Sequence, residues 1–146
     1  MRVYLPSTVT DLPRCTDGHW EPPVGYAVTE RLLQIAASDD ADELAELARS
    51  VAASASVIEH GSALRVVVVA ELTRAELDAD PDLHPAAVRL SERVPASAIA
   101  CAFVDEPGAA EDVRAAVAGD DDALARLDER DLLWYDATEL GHVPVL

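Results

Sequence analysis

Short apolar and β-branched runs recur along the chain and predict the strands of a sheet. Polar and apolar residues alternate over Arg2–Leu5, a strand that Pro6 is expected to end. Residues 66–69 are four consecutive valines, typical of a central strand covered on both faces. The other predicted strands are, in chain order, Tyr26–Val28, Ala87–Leu90 as an edge strand, Ile99–Val104 and Leu132–Tyr135. The Asp- and Pro-rich residues 73–85 predict a loop or a short helical turn.

Helical periodicity and capping residues predict the helices between these strands. Asp40 and Glu43 form a capping pair at the start of a helix over about 41–59, which Gly61 ends. Its predicted buried stripe comprises Leu44, Leu47, Ala48, Val51, Ala52, Ala55 and Ile58. Further helices are predicted after Ser7 or Thr10, after Thr29, over 107–118 and after Asp120, with a last turn capped by Asp136 and Glu139.

The order of these elements predicts the fold class. Strands and helices alternate, with two helices between some strands, which favours an α+β fold over the alternative, α/β. We expect a mixed β-sheet of about five or six strands with helices packed on it. A chain of 146 residues fits a single globular domain over residues 1–146.

Charge excludes some partners. The chain has 28 acidic residues and 11 basic ones, all Arg, for a net charge of −17. This balance argues against direct nucleic-acid binding, which needs clustered basic residues, and against binding to an anionic membrane. Segment 105–139 alone has twelve acidic residues and three Arg. The segment could face a basic partner or mimic nucleic acid, although such a bias more often only keeps a domain soluble.

Cysteine and histidine usage predicts neither a metal nor a cofactor. Two cysteines without a secretory signal are typical of free thiols in the cytoplasm. Cys101, in an apolar strand, is expected to be an unreactive core thiol, whereas Cys15 is expected to be more exposed. Cys15 and His19 have a spacing that zinc uses, but no further ligand pair accompanies them. Residues 78–82 resemble the start of a calcium loop and lack its later Gly and Glu, so a solvated acidic loop is the better interpretation.

The first predicted strand leads to a candidate anion site. Ser7 and Thr8 follow this strand, where the start of a helix would present free amides to an anion. Capping alone explains Ser7 equally well. An arginine, Arg2 or Arg65, would complete such a site in a cleft at the strand ends.

Aromatic residues beside arginine form a second group of candidates. Trp134 and Tyr135 are adjacent on a predicted strand and therefore point to opposite faces, so one can pack in the core while the other is exposed. Arg2 and Tyr4, on the first predicted strand, are a further candidate site that combines an arginine and an aromatic residue. Exposed aromatic residues beside Arg are common anchors of protein interfaces.

The signatures of common enzyme classes are missing from the sequence. It contains no Gly-x-Ser-x-Gly elbow, no Gly-rich phosphate loop and no His-Glu-x-x-His motif. The favoured hypothesis is therefore an acidic cytoplasmic protein that acts as a non-enzymatic protein-binding or regulatory domain. The alternative is an enzyme or sensor for a small anionic metabolite. Exposed strand edges would also permit a homo-oligomer.

Several segments carry a resemblance to a known family. They are Met1–Pro6, Arg65–Ala70, Asp131–Tyr135 and Thr138–Leu140, and matches at Glu43–Ala53 and Val94–Asp105 extend it over nearly the whole chain. With these segments the chain resembles a family of short uncharacterised actinobacterial proteins that begin Met-Arg-Val-Tyr-Leu-Pro. That family has no assigned activity, so the resemblance implies no catalytic residue. It implies a GC-rich actinobacterial source and a cytoplasmic location.

Overall fold

An antiparallel sheet of seven strands organises the structure, a computed structural model that describes residues 1–73, 77–79 and 82–143. The strands are β1 (Arg2–Ser7), β2 (Val24–Tyr26), β3 (Val66–Glu71), β4 (Leu77–Ala79), β5 (Ala87–Leu90), β6 (Ile99–Val104) and β7 (Leu133–Asp136). Their order is β4-β5-β2-β1-β3-β6-β7, and every neighbouring pair is antiparallel. The predicted α+β class is confirmed. The predicted mixed sheet is wrong, because no parallel crossover joins the described strands.

Three of the five α-helices that the structure describes begin directly after a predicted capping residue. They are α1 (Leu12–Thr16), α2 (Glu30–Ile35), α3 (Ala41–Ile58), α4 (Ala110–Val117) and α5 (Asp121–Glu129), with 3₁₀ turns at Ala96–Ala98, Pro107–Ala109 and Ala137–His142. Thr29, Asp40 and Asp120 each accept backbone N–H groups of the helix that follows, which confirms the predicted caps. Within the described residues, no helix has the length and apolar character that a membrane span requires.

The long helix α3 covers one face of the sheet. Asp40 accepts the N–H groups of Asp42 and Glu43, and α3 packs on β1, β2 and β3. Its contact stripe is rich in alanine, and the buried cluster on this face comprises Tyr4, Tyr26, Leu32, Leu44, Ala48, Ala52, Ala53, Ala55, Val67, Val69, Ala86 and Ala87. The buried stripe differs from the prediction: Leu47 and Ile58 are exposed, whereas Ala53, Ser56 and Val57 are buried.

The second layer, on the opposite face, contains α1, α4, α5 and the last 3₁₀ turn. Their apolar residues Leu12, Val113, Leu127 and Leu140 belong to one buried cluster with Val66 and Val68 of β3. Val67 and Val69 face α3 instead. The prediction that β3 is central and covered on both faces is therefore confirmed.

Local boundaries differ from the predictions at several strands. β1 continues through Pro6 to Ser7, because the φ angle of proline fits an extended strand although proline donates no ladder hydrogen bond. Ser7 therefore lies in the strand, and Asp11 occupies the N-cap position of α1, with Pro13 in the first turn. β5 is not an edge strand, since β4 pairs with it inside the region predicted as a loop. Asp80, central to the calcium-loop comparison, lies outside the described residues.

Gly25 provides a test of packing between β2 and the core. A Cβ atom at this position would lie 2.6 Å from Cγ1 of Val3 and 2.7 Å from Cδ2 of Leu5. Both neighbours are fully buried. We expect Gly25→Ala to lower the free energy of unfolding by about 1–3 kcal/mol through overpacking, measured by urea denaturation. Gly108→Ala is the control, because no atom lies within 4 Å of its added Cβ. Equal effects of the two variants would contradict this packing.

Candidate functional site

A cleft forms where α3 leaves the sheet partly uncovered. α3 packs mainly on the inner strands, so the same face of β6 and β7 remains partly open. The cleft has a volume of about 480 Å³, and its lining residues come from β1, β3, β6, β7 and the first half of α3. They are Arg2, Tyr4, Asp42, Ala45, Glu46, Arg49, Val69, Ala100, Cys101, Phe103 and Trp134, and we refer to this site as the Trp134 cleft.

Strand register builds the floor of the Trp134 cleft. Val69 of β3 lies opposite both Tyr4 of β1 and Cys101 of β6, so the three side chains form one row. Phe103 and Trp134 are directly opposite each other on β6 and β7. Residues opposite each other in an antiparallel pair share a face. The register between β3 and β6 shifts at Ala100, and this bulge lies within the lining.

Arg49 of α3 forms the wall above Phe103. Its guanidinium carbon lies 4.6 Å from the centroid of the Phe103 ring, a cation–π contact. Its Nη2 atom donates to Oε1 of Glu46 at 2.8 Å. These contacts position Arg49 from two sides, so its charge stays beside the aromatic floor.

Arg2 and Trp134 form the rim of the cleft. The Nε atom of Arg2 donates to Oε1 of Glu71 at 3.0 Å, and this hydrogen bond raises the pKa of Arg2. The Trp134 side chain is 57% exposed although its neighbour Tyr135 packs against the core on the opposite face. The prediction that the two rings point to opposite faces is confirmed. The exposed indole thus lies at the mouth of the cleft.

Cys101 lies in the floor as a half-buried thiol. Burial raises the pKa of Cys101, and the hydrogen bond from Trp134 and the charges of Arg2 and Arg49 offset this effect only in part. The thiol is therefore held in its protonated form, which is a poor nucleophile. The expectation of an unreactive thiol is consistent with this environment.

The other predicted site residues lie elsewhere. Ser7 and Thr8 line a separate cleft of about 470 Å³ beside α1, together with Arg14 and His19. Ser7 is buried and its hydroxyl lies beside the Cys15 thiol in the core. Arg65 is almost fully buried against Asp105, with Nη2 to Oδ1 at 2.7 Å. The structure thus brings together Arg2, Tyr4 and Trp134, and it separates them from Ser7, Thr8, Arg65 and Tyr135.

Cys15 is fully buried, contrary to the expectation that it is more exposed than Cys101. The short helix α1 turns it inward, where its Sγ atom donates to the carbonyl oxygen of Asp11 at 3.6 Å. Burial raises the pKa of Cys15 to about 12, and the nearby Ser7 hydroxyl offsets this only in part. Among the described residues, no three His, Cys, Asp or Glu side chains are grouped as metal ligands.

The two thiols are expected to differ in reactivity. Iodoacetamide at pH 8 should alkylate Cys101 of the native protein before Cys15, because Cys15 is inaccessible and remains protonated far above that pH. Peptide mapping by mass spectrometry measures both rates, and denaturant is the control that should make them equal. Modification of Cys15 in the native protein at the rate of Cys101 would contradict its burial.

Sequence reasoning missed Arg49, Glu46 and Phe103 as parts of the site. The contact between Arg49 and Phe103 joins two elements that are far apart in the chain, so no local pattern indicates it. One feature of the sequence could have indicated Phe103 as a site residue. It is the only phenylalanine of the chain, and it lies in a strand of otherwise smaller residues.

Comparison with known proteins identifies the family. The model of a family of unknown function, DUF6912, matches residues 1–143, and the chain therefore belongs to that family. No curated protein and no solved structure matches the chain significantly. The comparisons thus show the family alone, and function must be argued from the site itself.

Proposed function

We propose that this member of the DUF6912 family is a non-enzymatic binding domain that holds a partner protein through the Trp134 cleft. One observation carries the proposal: a large indole ring is 57% exposed at a sheet edge, directly opposite Phe103, which lies under Arg49. Trp, Tyr and Arg are the residues that most often dominate binding energy at protein interfaces. The Trp134 cleft combines Trp134, Tyr4, Arg2 and Arg49.

The chemistry of the cleft supports binding over catalysis. The pKa of Cys101 is raised, Glu46 accepts a hydrogen bond from Arg49, and Arg2 donates to Glu71. Each of these groups is engaged by a neighbour within the protein, which does not favour proton or group transfer. Exposed ion pairs of this kind suit the polar rim of an interface. There, each charged side chain can exchange its partner within the protein for one on the bound protein at little cost in free energy.

The charge of the chain indicates which partner to expect. A net charge of −17 attracts basic proteins over long range and repels nucleic-acid backbones and anionic lipid surfaces. The proposal therefore includes a basic protein partner and no direct contact with nucleic acid. Both cysteines are free, which supports a reducing, cytoplasmic location. The absence of Lys and Asn supports a GC-rich, actinobacterial source.

Affinity isolation with matched baits tests the proposal. The full chain, Trp134→Ala and Ile58→Ala serve as baits in a lysate of the source organism, and titration calorimetry then measures each variant with the purified, identified partner. Ile58 is the control because it is 59% exposed on α3 and does not line the cleft. We expect Trp134→Ala to weaken binding about 30-fold, equivalent to about 2 kcal/mol, as at an interface hot spot. Ile58→Ala should leave the affinity within about twofold.

Two results would contradict the proposal. One is a partner whose affinity is the same for the full chain and for Trp134→Ala. The other is a thermal-shift screen in which a nucleotide or phosphorylated metabolite stabilises the protein by about 2–3 kcal/mol at a hundredfold excess over its dissociation constant. That second result would favour the enzyme or sensor hypothesis.

A further inference from the structure

The free edge of β7 adjoins the Trp134 cleft. β7 is the last strand in the order of the sheet, and the described part of the chain places no strand on its outer side. An unpaired edge exposes a row of backbone N–H and C=O groups that can pair with another chain. Proteins usually protect such edges by keeping the strand very short or with charged residues, Pro or a bulge. β7 is short and ends in Asp136, but its first three residues, Leu-Trp-Tyr, are uncharged, it contains no Pro, and its pairing with β6 is regular.

Two apolar rows run across the sheet and end at this edge. On the cleft face, Val67, Phe103 and Trp134 lie opposite one another in three successive strands. On the other face, Val66, Val104 and Leu133 do the same. Both rows end in exposed side chains, with Leu133 43% exposed and Trp134 57%. An added strand would extend both rows, because successive side chains of a strand point to opposite faces.

Acidic side chains flank the same edge in the chain. Asp128, Glu129 and Asp131 precede β7 and are exposed, and Asp136 ends the strand. Within the described ranges, none of these four carboxylates is in an ion pair. The arginine among them, Arg130, donates to Glu106 and Asp112 instead. Asp128 and Asp131 line a cleft that also contains arginine side chains, and the Asp136 carboxylate accepts the N–H and Oγ1–H of Thr138. The edge therefore combines apolar rows with acidic side chains on both sides of β7 in the chain.

We infer that the partner docks an extended, basic segment along β7 as an eighth strand. The inference rests on the proposed function and specifies its ligand. Apolar residues of the segment pack against Leu133 and Trp134 on opposite faces, and a Lys or Arg faces Asp136. Backbone hydrogen bonds supply affinity, and the alternating side chains supply specificity.

The charges favour this occupant over a second copy of the chain. Pairing β7 with β7 of another copy would bring together two molecules that each have a net charge of −17. It would also place two sets of the acidic flanks, Asp131 and Asp136, at one edge. Like charges across an interface oppose binding, whereas a basic segment neutralises both flanks.

Selection from a random peptide library displayed on phage, with the full chain as target, tests the inference. We expect enriched peptides in which apolar residues alternate with others and at least one Arg or Lys is present. In a bound edge strand, only every second backbone N–H of the peptide donates to β7. N-methylation of these amides should weaken binding at least about tenfold, whereas N-methylation of the amides between them should not. Replacing its Arg or Lys by Gln should weaken binding and reduce its dependence on salt.

Paired variants of the protein locate the peptide. Leu133→Arg should weaken binding about tenfold or more, because it places a charge in the apolar row and like charge beside a basic segment. Leu124→Arg is the matched control: Leu124 is 45% exposed on α5, and the substitution changes the net charge equally. We expect its effect to stay within about twofold. Equal effects of both variants would overturn docking at β7.

The outcomes separate the inference from the proposed function. Peptides whose binding needs Trp134 but is insensitive to N-methylation and to Leu133→Arg would overturn strand addition and leave the proposed function intact. Peptides that bind independently of Trp134 would overturn both. A dimer of the free protein in analytical ultracentrifugation that Leu133→Arg dissociates, while Leu124→Arg does not, would overturn the inference in favour of a second copy.

Discussion

Asp105→Ala is expected to lower the free energy of unfolding by about 3–5 kcal/mol, the largest effect of any substitution considered. Oδ2 of Asp105 accepts the backbone N–H of Arg65 and its Nε–H, each at 2.9 Å, and Oδ1 accepts Nη2–H at 2.7 Å. The Asp105 side chain is 1% exposed and that of Arg65 10%. Removal of the carboxylate leaves a buried backbone donor without an acceptor and leaves the guanidinium only the carbonyl oxygen of Arg130, 3.5 Å from Nη2. This costs far more than losing a surface ion pair.

Urea denaturation followed by circular dichroism measures this effect. Glu21→Ala is the control, since the Arg93–Glu21 pair has a comparable distance of 2.9 Å but both side chains are more than 60% exposed. Its loss should cost no more than about 1 kcal/mol. Asp105→Asn keeps the shape of the side chain and should still show most of the loss, because its NH₂ group cannot accept from Arg65. An Asp105→Ala variant as stable as Glu21→Ala would contradict the account.

Ser56→Ala is expected to cost about 2–3 kcal/mol of the free energy of unfolding. The fully buried Ser56 hydroxyl of α3 donates to the carbonyl oxygen of Ser7 at 2.6 Å and accepts the N–H of Val66 at 2.9 Å. One hydroxyl thus satisfies the end of β1 and the start of β3. Alanine would leave a buried acceptor and a buried donor without partners.

Ser54→Ala is the matched control for Ser56. Ser54 lies two residues earlier on α3 and is exposed, so its replacement should change stability by less than about 0.5 kcal/mol. Chemical denaturation of both variants gives the comparison. If Ser56→Ala is no less stable than Ser54→Ala, the hydroxyl does not hold the two strands and the helix together as described.

Local signals in the sequence predicted much of the fold. The caps at Thr29, Asp40 and Asp120 were predictable because each depends on a side chain that reaches only two or three residues ahead. The central position of β3 was predictable because residues 66–69 suit a strand buried on both faces. These features need no information about distant parts of the chain.

Features that depend on distant contacts were not predictable in this way. Strand β4 lies in an acidic, proline-rich segment and exists by pairing with β5, a contact that local propensity does not encode. Cys15 was expected to be more exposed than Cys101, yet α1 turns its thiol into the core. The antiparallel direction of all strands likewise follows from pairing, which the alternation of elements does not specify.

In the candidate site, too, some features were predictable from local sequence signals and others depend on contacts between distant parts of the chain. Trp134 and Tyr135 were assigned to opposite faces from the period of a strand alone, and their unequal exposure agrees. Arg2 and Tyr4 were selected as an arginine beside an aromatic residue. Their proximity to Trp134, however, depends on the order of β1, β3, β6 and β7. The same order places Ser7 and Arg65 away from that cleft, where Ser7 is buried and Arg65 pairs with Asp105.

Hydrogen–deuterium exchange of the protein, free and bound to its isolated partner, tests whether the Trp134 cleft and β7 form the binding surface. Binding should slow exchange in β7, in the cleft residues of β6 and in the first half of α3. No change is expected around α1, where the second cleft contains Thr8 and Arg14. Protection confined to α1 and the residues around it, with β7 exchanging as in the free protein, would contradict binding at the Trp134 cleft.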